Sequence, residues 1–186
     1  QRKTLSIALN VFEHFQPTLP ASYKKSPFVL LGNIAPSLQA NVLSQVSKPR
    51  FVMADTMDLW IEIAKGDLLD LLRKVDAVCM NDGEARELTG HTSLVKAGHK
   101  LLSFGPQYAI IKKGEHGCLL FAKNRFFTAP AYPLEDIHDP TGAGDTFAGS
   151  LMGYLASVNE INFEVLRKAV VYCSVMASFN VDAFSL

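Results

Sequence analysis

From Phe28 onward, short apolar runs alternate with stretches of helical periodicity, and this alternation constrains the fold more than any other feature of the chain. Phe28 to Asn33, Phe51 to Asp55 and Asp76 to Met80 read as strands. Their apolar residues run continuously instead of alternating with polar ones, the pattern of strands covered on both faces. Between them lie Ser37 to Val46, entered through Pro36, and Asp58 to Arg73, expected to be helical with an interruption near Gly66. Asp82 to Leu88 and Ser93 to Phe104 follow as helices, with Asn81 capping the third strand and Gly90 stopping the first of the two. Tyr108 to Ile111, Gly117 to Phe121 and Arg125 to Thr128 lie too close together for crossovers and read as a local meander. Ala143 to Ser157 and Phe163 to Asn180 close the chain as long helices. The fold class that follows is α/β: a mostly parallel sheet flanked by helices, with an antiparallel hairpin at one side.

Composition narrows the function classes. Apolar residues make up 48% of the 186 positions and charged ones 19%, which excludes intrinsic disorder. Lys+Arg and Asp+Glu both number 18, so the strongly basic face of a nucleic-acid binder is not expected. No run of about 18 apolar residues is present, so no membrane partner is expected either. Cys79, Cys118 and Cys173 lie far apart with neither zinc spacing nor a disulfide framework, as in a protein of the reducing cytoplasm. They read as small buried hydrophobes. Gln1-Arg2-Lys3 is not an initiator start and no secretory h-region follows, so the chain is expected to be a piece of a longer one. Residues 1–27 differ from the rest, with Pro17, Pro20 and Pro27 as punctuation and Phe12, Phe15 and Tyr23 as aromatic surface. They are expected to pack on something outside the chain or on another subunit, leaving 28–186 as the α/β domain.

The segment that most specifically carries chemistry is Asp139-Pro140-Thr141-Gly142-Ala143-Gly144-Asp145. Small residues at 142–144 let backbone approach a ligand, and the free amides and dipole of the helix that starts there favour an anion. Asp145, in the first turn, would face that anion. A carboxylate beside phosphate makes sense where it removes a proton from an attacking hydroxyl; otherwise Asp145 only caps the helix. The segment is neither a Walker loop, lacking G-K-[ST], nor a dinucleotide fingerprint. Asn81 and Glu84 taken alone are an N-cap and a first-turn acid, and Lys112 is charge in a turn. His116 and His138 have no metal spacing, while Trp60 and the Phe147, Leu151, Tyr154, Leu155 series read as core.

Three ordered segments together resemble the ribokinase-like (PfkB) carbohydrate kinases. Asp139 to Gly149 is similar to that family's C-terminal signature. Asn81-Asp82-Gly83-Glu84 with Leu88 and Gly90 resembles its N-x-x-E motif, and Lys112-Lys113-Gly114-Glu115-His116-Gly117 its nucleotide-side turn. The resemblance implies ATP-dependent phosphoryl transfer to a sugar hydroxyl, with magnesium as cofactor. It implies Asp145 as general base, the amides of Gly142, Ala143 and Gly144 as the anion hole, and Asn81 and Glu84 near magnesium. Lys112, Gly114 and Gly117 would lie along the nucleotide, and Asp139 and Thr141 would offer backbone oxygens to potassium, as in some members. A homodimer is implied by the lid strands that pair subunits in this family. The family's N-terminal glycine pair, its early sugar-binding Asp and its lid are missing, and 177–184 lacks the glycine expected near the cation. The chain alone is therefore expected to be a poor enzyme. A nucleoside kinase of the same superfamily and a non-catalytic nucleotide-binding module are the alternatives; an intact Asp145 speaks against the latter.

Overall fold

In a computed structural model of the chain, which describes Phe12 and residues 15–182, the apolar runs become the strands of one sheet. The elements run β1 (Phe28–Leu31), α1 (Pro36–Ser44), β2 (Phe51–Asp55), α2 (Asp58–Ile63), α3 (Lys65–Leu72), β3 (Ala77–Asn81), α4 (Asp82–Thr89), α5 (Leu94–Leu102) and β4 (Tyr108–Lys112). They continue with β5 (Cys118–Ala122), β6 (Arg125–Ala129), α6 (Ala143–Ala156) and α7 (Phe163–Val181). Strand order in the six-stranded sheet is the chain order, β1-β2-β3-β4-β5-β6. β1 to β4 are parallel; β5 and β6 fold back as the antiparallel part. This is the α/β class the sequence predicts.

Successive residues of a strand point to opposite faces, and the strands use both. On one face Val29, Val52, Val78 and Ile111 meet Leu68, Leu72, Leu88 and Leu101 from the helices between β2 and β4, with α1 at the edge. On the other, Met53, Cys79, Ile110 and Leu120 meet Leu151, Leu155, Leu166 and Cys173 of α6 and α7. β2 is buried at every position, which explains why its sequence shows no alternation. All three cysteines are free and buried, as expected.

The interruption expected near Gly66 in the helix over 58–73 falls at Ala64, whose backbone leaves the helical region, while Gly66 itself lies inside α3. The physical reason is packing: a change of direction at 64 lets Ile61 of α2 and Leu68 and Leu71 of α3 enter the same core. Of segment 1–27, residues 1–11, 13 and 14 lie outside the described residues. The described remainder is laced to the end of α1. Gln45 accepts from the Leu19 amide at 2.9 Å and donates to the Pro17 carbonyl at 2.8 Å, and the Lys24 carbonyl accepts from Ser47 N at 2.7 Å. Phe12, Phe15 and Tyr23 stay exposed. Among the described residues no helix is long and apolar enough to cross a membrane.

Gly98 is the point of closest approach between α5 and the sheet: a Cβ there would lie 2.4 Å from the ring of Phe121, itself fully buried. Gly98→Ala would stabilise an exposed helix by about 1 kcal/mol. Here it is expected to destabilise by about 1–3 kcal/mol. Urea unfolding checks the sign; an unchanged or raised midpoint would contradict this packing.

Candidate active site

A parallel sheet delivers its strand ends to one edge, where α/β proteins place their ligands. Three polar residues arrive there: Asp55 ends β2, Asn81 ends β3 and Lys112 ends β4. Register pairs Asn81 directly with Lys112. The Lys112 side chain spans the end of β3, and its Nζ donates to Asp55 Oδ2 at 2.9 Å. The other oxygen, Oδ1, accepts from the Thr56 amide at 2.8 Å. The two side chains are only 19% and 12% exposed, so this is a buried ion pair and not a surface one. Burial pushes the Asp55 carboxyl up from its ordinary value, and the Lys112 ammonium opposes that. Burial works against the charge on Lys112, but Cys79, Asp55 and Glu84 around it prevail and hold the ammonium protonated above its ordinary range.

Asn81 also caps α4. Its Oδ1 accepts from Glu84 N at 2.8 Å while Glu84 Oε2 accepts from Asn81 N at 2.8 Å, a complete capping box. A capping glutamate is ordinarily solvated, but Glu84 is only 9% exposed. Burial raises its carboxyl to about 7; the Asn81 amide works in the opposite direction, and the charge of Asp55 adds to the rise.

The third component is the start of α6. Gly142 occupies its N-cap in the left-handed region, at φ 82°. The Ala143 amide turns back to the Pro140 carbonyl at 3.2 Å, so it is partly engaged. The amides of Gly144 and Asp145 have no backbone acceptor among the described residues and point out of the helix end. Asn180 of α7 holds the turn from behind, accepting from Thr146 Oγ1 at 2.7 Å and donating to the Thr141 carbonyl at 3.0 Å. Lys112 closes the arrangement: its Nζ lies 3.2 Å from where a Cβ on residue 144 would be.

These parts meet at a cleft of about 570 Å³. Its lining combines the polar side chains of Asn81 and Lys112 and the backbone of Gly144 with the apolar side chains of Leu134, Ile137, Ala177 and Val181. Gly114 and Gly117 form its side wall. The short turn between β4 and β5 needs glycine at 117, where φ is 79° and a Cβ would lie 2.0 Å from the Ala129 carbonyl. A lysine and free helix amides beside such a cleft suit a polyphosphate, and its apolar lining suits a flat base.

The structure thus gathers Asn81, Lys112, Gly114, Gly117, Ala143 and Gly144 around one cleft. Glu84 joins through the capping box, and Gly142 stands behind, against Asn180. Asp145 is exposed at the helix mouth and its charge is felt by Asp55. Asp139 and Thr141 lie on the approach to the turn, where Asp139 Oδ1 accepts from the Thr141 amide at 2.9 Å. The Thr141 carbonyl already has the Asn180 amide as a partner. Trp60 is buried, its Nε1 donating to Asn33 Oδ1 at 2.9 Å, and His116 is exposed, as expected of both. Asp55 and Asn180 escaped the sequence reading. An acid closing an otherwise apolar strand was a signal for Asp55; nothing local marks Asn180 in a helix of apolar neighbours. Among the described residues no cluster of three or more His, Cys, Asp or Glu is arranged to hold a metal.

Residues 35–185 match the family described as pfkB family carbohydrate kinase. The chain belongs to this family. Cytidine kinase of Thermococcus kodakarensis is 33% identical over 142 residues, 73% of this chain and 50% of that protein. Among solved structures, ribokinase of Thermotoga maritima superposes with a TM-score of 0.73 at 24% identity, covering 88% of this chain and 53% of its own. Fructokinase of Vibrio cholerae, solved with fructose, ADP and calcium, gives 0.75 at 17% identity, covering 91% and 58%. The chain spans about half the length of these relatives, and the structural matches show that it has the pfkB-type α/β fold.

The buried Glu84 carboxylate gives a sign that can be checked. Its value in the folded state, about 7, lies above the ordinary 4.5. The folded state therefore keeps the proton longer, and stability falls as pH rises from about 4.5 through 7. Glu84→Gln removes this cost, so the variant is expected to gain stability above pH 7, on the order of 3 kcal/mol at most. The gain should vanish towards acid pH in denaturant titrations of both proteins. A gain independent of pH would contradict the assignment.

Proposed function

We propose that this chain carries the nucleotide-side and catalytic half of an ATP-dependent kinase that phosphorylates a hydroxyl of a sugar or nucleoside. One observation carries the reading. The free amides at the start of α6 face the Lys112 ammonium at a cleft of about 570 Å³, with the exposed carboxylate of Asp145 one residue beyond Gly144. Membership of the pfkB family and the kinases it resembles support it.

The triphosphate of ATP lies with its terminal phosphoryl at Lys112 and the α6 amides, passing Gly114 and Gly117, and its base against the apolar lining of the cleft. Asp145 accepts the proton of the acceptor hydroxyl as that oxygen attacks the γ-phosphorus. The bond from the γ-phosphorus to the bridging oxygen breaks, and ADP leaves. The amides of Gly144 and Asp145 and the Lys112 ammonium stabilise charge on the transferring group without having to reorganise. Magnesium, when bound, neutralises the phosphate oxygens. The side chains present fit such a cation, because a hard ion that keeps its waters and takes phosphate oxygens needs few protein ligands, and Asn81 with Glu84 supplies an amide and a carboxylate at the cleft edge. The proposed reaction uses neither Asp139 nor Thr141.

The acceptor has two readings. Sugar is the first, from the family description. A nucleoside is favoured by the match to cytidine kinase. Transfer of the γ-phosphate to ribose, fructose and cytidine, assayed side by side on the full-length protein, separates them.

In that protein Asp145→Asn is expected to lower kcat by about 10²- to 10⁴-fold with little change in ATP KM, because proton removal alone is lost. An unchanged kcat would remove Asp145 from the base role. Glu84→Gln is expected to raise the magnesium concentration needed for half-maximal rate; superimposable magnesium titrations would sink its assignment near the metal.

A further inference from the structure

Lys112 lines the cleft, but a lysine side chain has four rotatable bonds and does not aim itself. Its position comes from elsewhere. Nζ is held 2.9 Å from Asp55 Oδ2, two strands away. Asp55 is itself fixed, since its other oxygen accepts from the Thr56 amide at 2.8 Å. The other neighbour of Nζ is Gly144, close enough that a Cβ there would lie 3.2 Å away. The ammonium is therefore trapped between the carboxylate that ends β2 and the first turn of α6. A buried ion pair in this setting is a poor way to stabilise a fold, because an apolar pair of similar volume commonly does as well or better. The pair has a reason to be here if the direction of the lysine matters.

We infer that Asp55 is a positioning residue for phosphoryl transfer, which holds the Lys112 ammonium against the start of α6 so that it meets the transferring phosphoryl group already aimed. This rests on the kinase reading above. Asp55 touches no reacting atom in it; it acts through Lys112. One donor of the ammonium is taken by Asp55, and the remaining two are free for phosphate oxygens. The charge that Asp55 neutralises before ATP arrives also keeps a buried cation from standing unpaired in the empty cleft.

The test is a double-mutant cycle on the full-length protein, with kcat and ATP KM measured for wild type, Asp55→Asn, Lys112→Met and the double variant, and melting temperature recorded for each. Asp55→Asn keeps shape but removes the charge that orients the lysine, and is expected to lower kcat about 10- to 100-fold with a much smaller change in KM. The double variant is expected to be no slower than Lys112→Met alone, because Asp55 has nothing left to aim. If the two losses multiply, Asp55 acts independently of Lys112 and the inference fails. A full kcat in Asp55→Asn also overturns it while leaving the kinase reading intact. Should both Lys112→Met and Asp145→Asn keep full activity, the kinase reading itself fails. The double variant buries no orphan charge, so the comparison with Lys112→Met stands even where Asp55→Asn folds poorly.

Discussion

The salt link from Lys112 to Asp55 exists because a parallel sheet brings the ends of β2, β3 and β4 to one edge. Each of those strands is apolar along its length and turns polar at its last residue. The polar end cannot be buried without a partner, and across a parallel sheet the partner must come from another strand end or from a helix that starts there. Asp55, Asn81 and Lys112 meet that requirement differently. Asn81 is satisfied by the helix that begins beside it, whereas Asp55 and Lys112 satisfy each other across the intervening strand. α6, packed on the opposite face from α4, then brings its N-terminal amides to the same place. The cleft is where these three arrangements coincide.

The same region shows where the fold gives up stability. Glu84 is buried as a carboxylate in a position where a solvated glutamate would cap the helix equally well. The charge of Asp55 raises the proton affinity of Glu84, and that of Asp145 raises the proton affinity of Asp55. Negative charges crowded at a site that also holds a lysine and free helix amides are the pattern expected where groups are arranged for a charged ligand and not for the apo fold.

Most of the architecture was legible because burial on both faces leaves a plain mark. Strands such as Phe51 to Asp55 and Ala77 to Asn81 are uninterrupted apolar runs, and the capping residues Asn81 and Gly90 fix the ends of α4. The break in the helix after β2 was legible near Gly66, but its place at Ala64 was not, since that follows from which side chains reach the shared core and not from local propensity. The site divides the same way. Gly142, Ala143, Gly144 and Asp145 are contiguous and announce themselves, whereas Asp55 and Asn180 become part of the site only through long-range contacts. Asp55 lies 57 residues from Lys112, and Asn180 lies 39 residues from Thr141. Lys112 shows the difference most clearly: in sequence it is a charge beside a glycine turn, and in the fold it is the half-buried link between two strands and a helix.

The start of α6 and the Lys112 ammonium are together proposed as the site for the phosphates of ATP. Titration calorimetry of ATP into the protein, with and without magnesium, tests it most directly when wild type is set beside Lys112→Met. Saturable binding at one site is expected, strengthened by magnesium and weakened at least about tenfold in the variant. Heats that are absent in the wild type, or identical in the variant, would contradict it.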